Sequence, residues 1–118
     1  MGLEDKAKEL GRLIGQSDEY KAVTRANDSL TSDTEATTLL REMDTLRRDA
    51  QSMLQRGEEP TEEMEQQLDA LLLKVQGNPA YQRVAVAQEN LDKLMRRVND
   101  WIGDGITKGA QSPIITLG

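Results

Sequence analysis

Twenty-one carboxylates, fifteen lysines and arginines, and no histidine or cysteine set the chemistry open to this 118-residue chain. Without cysteine there are no disulfides, no thiolate metal sites and no thiol nucleophile. Without histidine the commonest general base is gone. A serine nucleophile needs a histidine or a buried lysine beside it, and no Gly-x-Ser-x-Gly elbow occurs. Carboxylate-rich helical bundles can hold di-iron sites, but those use Glu-x-x-His on two helices, which this sequence cannot supply. Glu62, Glu63 and Glu65 therefore read as charges for a helix dipole and for solvent. Gly11 and Gly15 belong to no phosphate loop and read as close-packing or helix-end positions. No catalytic residue, metal ligand or cofactor is expected, and the chain reads as a non-enzyme.

The remaining charged residues offer one alternative chemistry. Arg47, Arg48 and Arg56, together with Lys93, Arg96 and Arg97, could face a nucleic acid. Asp44, Asp49, Asp92 and Asp100 lie among them, the formal net charge is −6, and the stacking aromatics of RNA-binding modules are missing. A mixed, solvated helix surface is the simpler reading, with a direct nucleic-acid-binding regulator as the alternative.

Helices must position whatever acts here. Charged residues make up 31% of the chain and aromatics only 3%, with no phenylalanine, which favours helices packed by leucine stripes over a β-sandwich. Leu3, Ala7, Leu10, Leu13 and Ile14 define a first helix, interrupted at Gly15-Gln16. Ser17 is placed to cap a second, which carries Tyr20, Val23, Ala26 and Leu30. Ser32-Asp33-Thr34-Glu35 fits a capping box, with Ser32 as the cap of a third helix that runs from Ala36 to Leu54. Gly57 and Pro60 end it; Thr61 caps a fourth with Met64, Leu68, Leu71, Leu72 and Val75 on one stripe. Gly77 closes that helix, and Asn78-Pro79 opens a fifth as N-cap and first helical residue. There Val84, Leu91 and Val98 form one heptad row, and Ala87, Leu94 and Trp101 the other. Short connections make the third, fourth and fifth helices antiparallel neighbours. The expectation is an all-α fold of about five helices, long antiparallel hairpins in a bundle completed by oligomerisation. Residues 1–106 form one domain, and residues 107–118 a flexible tail whose Ile114-Ile115-Thr116-Leu117 could add to a partner's sheet edge or stay unstructured.

The order of these motifs resembles the YlbF/YmcA family of small helical bacterial regulatory proteins. The resemblance rests on Leu10-Gly11-x-x-Ile14-x-x-Ser17-x-Glu19-Tyr20, on Asp33-x-Glu35-Ala36-x-x-Leu39, on Leu71-x-x-x-Val75-x-x-Asn78-Pro79, and on Leu91-x-x-Leu94-x-x-x-Val98-Asn99-x-x-Ile102. It spans about residues 3–106. It implies an all-helical fold, self-association and a non-catalytic role in a multi-protein complex that modulates RNase Y-type mRNA processing, and through it competence, biofilm formation and sporulation. Family complexes have been linked to iron–sulfur clusters held by cysteines; this chain has none, so that cofactor is not implied. Met43 stands where the family often has an aromatic.

Function through protein contacts shifts attention to apolar residues that the core does not need. Leu73 points about 100° away from Leu72, off the stripe of the fourth helix, with Ala70 beside it. Tyr20 and Trp101 could anchor a partner, although their stripe positions favour the core. The candidates for partner binding or self-association are Ala70, Leu73, Leu94 and Trp101. The two long stripes, 36–54 and 84–102, lack bulky aromatics to close a compact core, so the chain is expected to self-associate as a dimer or higher. The charged start, Leu3-Glu4-Asp5-Lys6, lacks the apolar run of a signal peptide, position 6 breaks a myristoylation motif, and a cytoplasmic protein is expected.

Overall fold

The computed structural model describes residues 2–117, with side chains as far as Gln111. Five helices follow one another: α1 (Leu3–Gly15), α2 (Asp18–Ser32), α3 (Thr34–Gln55), α4 (Glu62–Gly77) and α5 (Pro79–Leu117), with no strand among the described residues. Each boundary has a local cause. The Ser17 hydroxyl accepts from the Tyr20 amide at 3.1 Å, and the Thr61 hydroxyl from the Met64 amide at 3.1 Å. Gly57 adopts φ +80, so that the amides of Gly57 and Glu58 return to the carbonyls of Leu54 and Met53 in a Schellman motif. One boundary differs from the sequence expectation. Asp33, not Ser32, caps α3: its carboxylate accepts from the Ala36 amide at 2.8 Å, while Ser32 completes the last turn of α2.

Single extended residues join two pairs of helices, Asp33 between α2 and α3, and Asn78 between α4 and α5. The chain therefore folds as two segmented rods, α1–α2–α3 and α4–α5. They run antiparallel: Glu19 at the start of α2 reaches Arg97 at 3.6 Å, and Ser29 near its end shares a groove with Pro79. α3 and α4 pair in the same sense, with Arg41 beside Lys74 and Leu54 beside Pro60. The third and fourth helices are thus antiparallel as expected, but α5 spends its length on α2 and barely meets α4. The result is a body of 71 × 36 × 22 Å.

The core is thin and sits where the rods bend. Leu39, Met43 and Val75 are buried together, with Leu40, Leu68, Leu71 and Tyr81 packed around them. Along α2 and α5 the buried residues are mostly small, Ala26, Ala80 and Ala87, which lets the two helices approach closely but buries little area per residue. Asn78 is the one buried polar residue among those described, 3% exposed. Its side-chain carbonyl accepts from the Tyr81 amide at 3.1 Å, and its own amide donates to the Val75 carbonyl at 3.0 Å. Removing this cap strands an amide beside the core. Asn78→Ala is expected to lower stability by about 1–2 kcal/mol in thermal unfolding followed by circular dichroism. A variant that melts with the parent would show the cap to be dispensable.

No helix end marks residue 106. α5 continues through Lys108, Gly109 and Ala110 to Leu117, so the segment expected as a flexible tail is drawn with helical backbone as far as Leu117. The glycines at 103, 105 and 109 do not adopt the left-handed conformation of a helix terminator; among the described residues only Gly57 has positive φ. Packing does stop early: Val98 is buried, and every residue from 99 to 111 is exposed. The side chains of Ile114, Ile115, Thr116 and Leu117 lie outside the described residues.

Candidate interaction surfaces

The four residues singled out by sequence fall in two places. Leu73 is 70% exposed on α4, four residues before that helix ends. Ala70, one turn earlier, is also exposed and forms one wall of an open groove of about 520 Å³ between α3 and α4, shared with Arg41, Leu46, Leu71 and Lys74. Leu94 is half-buried within the part of α5 that α2 covers. Trp101 is 60% exposed and lies beyond that cover. It stands about 33 Å along α5 from Pro79, at 1.5 Å per residue, so one compact contact cannot take in both Leu73 and Trp101.

The core reading of Tyr20 and Trp101 does not hold within this chain. Tyr20 is exposed as well, and both occupy the region where α2 begins. Their stripe positions are right, but the mutual cover of α2 and α5 ends here: α2 starts at Asp18, level with Arg97, and α1 has no buried residue. Sequence reasoning also passed over Leu54, Val86, Ile102 and Ile106, all exposed. Ile102 and Ile106 carry the stripe of Val84, Leu91 and Val98 onward, a signal already present within residues 1–106.

The arginine surfaces are largely self-neutralised. Arg48 is bonded to Asp44, Arg56 lies 3.6 Å from Glu58, Lys93 lies 3.5 Å from Glu89, and Arg97 lies 3.6 Å from Glu19. Such exposed pairs add little stability but remove the uniform positive face that a phosphate backbone requires. The opposite sign is concentrated at the α3–α4 turn. Glu58, Glu59, Glu62, Glu63, Glu65 and Asp69 follow Gly57 with no lysine or arginine among them. Among the described residues no group of three or more carboxylates is arranged to hold a metal ion, and no helix is long and apolar enough to cross a membrane.

These features define a class: a small all-helical protein of paired segmented rods, with large apolar side chains left uncovered at both ends. The chain belongs to the YlbF/YmcA family; the family model described as "Control of competence regulator ComK, YlbF/YmcA" matches residues 3–107. Among curated relatives, a UPF0342 protein of Streptococcus suis is 37% identical over 87 residues, covering 74% of this chain and 78% of that protein. A UPF0342 protein of Leuconostoc mesenteroides is 26% identical over 100 residues, covering 85% of this chain and 86% of its own. The fold is shared with Bacillus subtilis RicA, solved by crystallography in complex with RicF. Identity there is 18% with a TM-score of 0.79, over 92% of this chain and 96% of that one.

Proposed function

We propose that this protein is a non-catalytic regulatory subunit of the cytoplasm that works by binding other proteins. The observation that carries the reading is the set of large apolar side chains, Leu73 and Trp101 foremost, that the folded chain leaves in water. Family membership supports it, as does the fact that RicA, of like fold, was solved bound to another protein. Residues 1–106 act as one unit in this reading, with residues 107–118 as an extension. The partner complex is one that modulates RNase Y-type mRNA processing, and through it competence, biofilm formation and sporulation. No bound cofactor takes part.

The test is genetic and biochemical together. Deleting the gene is expected to shift transcript ends mapped across the transcriptome, and the tagged parent protein should restore them and retain a protein of the processing complex. Unchanged transcript ends would remove the RNA-processing assignment. Tight, salt-dependent RNA binding by the purified chain, with no protein partner retained, would replace the adaptor reading with direct nucleic-acid binding.

A further inference from the structure

We propose that the Leu73 side of the α3–α4 hairpin is a groove for a basic amphipathic helix of a partner protein. The inference rests on the adaptor reading and names the chemistry of the partner that Leu73 meets.

The first observation is an apolar trough near the tip of the hairpin. On one side, between α3 and α4, Ala50, Leu54, Pro60, Met64 and Leu68 line an open cavity of about 270 Å³. Leu72 stands one turn beyond Leu68 and prolongs the trough, and Leu73 flanks it. Leu54 is 60%, Leu72 38% and Leu73 70% exposed. Ala70 opens onto the groove on the other side of the hairpin, so it and Leu73 serve different surfaces. From Glu62 to Leu73 the α4 wall runs about 17 Å, or three turns of helix. No strand stands among the described residues, so an extended peptide finds no sheet edge to join. A helix laid in the trough becomes a third member of the hairpin, held by apolar side chains at i, i+3, i+4 and i+7.

The second observation is the charge beside the trough. Glu62, Glu65, Asp69 and Leu73 follow one another at spacings of three and four, so three carboxylates line the α4 flank up to Leu73. Among the described residues none of the three is held in an ion pair. Like charges at such spacings repel one another, and this flank gains by meeting cations. The α3 flank is different: Arg47 borders the groove, and Arg48 is bonded to Asp44. The two flanks therefore orient the incoming helix, with its apolar row in the trough and its lysines or arginines over α4, away from Arg47. The same carboxylates disfavour a nucleic acid, an anionic membrane surface and the acidic turn of a second copy. The apolar row supplies affinity and the carboxylates supply selectivity.

The probe is a fluorescein-labelled model helix of about fourteen residues, four turns, with leucines on one face and lysines on the other. Fluorescence anisotropy reads its binding to the full chain at physiological salt. One companion peptide replaces lysine with glutamate, and another keeps the composition but scatters the leucines. The lysine helix is expected to bind at micromolar concentration, and both companions at least about ten-fold more weakly. Leu54→Ser and Leu73→Ser, each at an exposed position, should keep the helical spectrum and each weaken the lysine helix about ten-fold. Glu65→Gln with Asp69→Asn should narrow the preference for lysine over glutamate, and Glu65→Lys with Asp69→Lys should invert it. Absence of binding by the parent would overturn the proposal. So would binding that survives Leu54→Ser and Leu73→Ser, which is charge attraction alone, or a preference unmoved by the reversed flank. A cellular protein retained equally by the parent, by Leu54→Ser and by the reversed flank would also overturn the groove, while leaving the adaptor reading in place. A parent that retains no cellular protein would remove the adaptor reading and this inference with it.

Discussion

Leu39→Asp is expected to leave the protein unfolded, or nearly so, at room temperature. Leu39 is 8% exposed and packs with Met43 and Val75 at the one place where α3 and α4 bury large side chains together. Truncating such a leucine costs about 2–5 kcal/mol through lost transfer energy and the cavity left behind. Aspartate adds a charge among Leu40, Leu68, Leu71 and Tyr81, none of which carries the opposite charge to neutralise it. Domains of this size have only about 5–15 kcal/mol in total, and a core of three buried large residues belongs at the low end. The loss should therefore approach the whole. Leu39→Ala serves as the graded companion, folded but melting well below the parent. The check is helical circular dichroism against temperature. A Leu39→Asp protein with parental helicity and a melting temperature within a few degrees of the parent would mean that the cluster is not the keystone of the fold.

The fold was legible where local chemistry decides. Ser17, Thr61 and Asn78 are caps because an oxygen on a short side chain can reach an amide three residues on, which is a property of a few neighbouring residues. Gly57 terminates α3 because there, alone among the described residues, the backbone takes positive φ. Ser32 misled because both it and Asp33 are competent caps. The choice fell to whichever residue α2 could spare, and α2 used Ser32 in its last turn. The interaction surface was less legible for a different reason. A stripe tells which way a side chain points, but burial depends on what stands opposite. Val98 and Trp101 sit on the same apolar side of α5, yet one is buried and the other is bare, because α2 begins level with Arg97. That distance is set by where two rods bend, a long-range fact with no local signal. The exposure of Leu73 was legible because its stripe position excluded it from the core whatever the neighbours were.

Leu73→Asp is expected to keep the fold and lose the partner. The side chain is 70% exposed, so the core contributes nothing that the change can remove. Helix propensity falls by about half a kcal/mol, and a new carboxylate one turn after Asp69, near the C-terminal end of α4, adds a few tenths more. Stability should thus drop by about 1 kcal/mol or less, against a loss in partner binding of about 1–3 kcal/mol, typical of one apolar contact filled with charge. Leu73→Lys separates the two effects. A lysine at this position suits the helix end and can pair with Asp69 four residues back, so it should melt with the parent or above it. It is nevertheless as unable as aspartate to fill an apolar pocket. If the contact is apolar, both variants should fail to bind the protein retained by the parent, while Leu73→Ala falls between. If only Leu73→Asp weakens binding and Leu73→Lys matches the parent, the partner surface is acidic and the site works by charge. If both bind like the parent, α4 does not carry the contact, and the exposed Leu73 is solvent-facing surface alone.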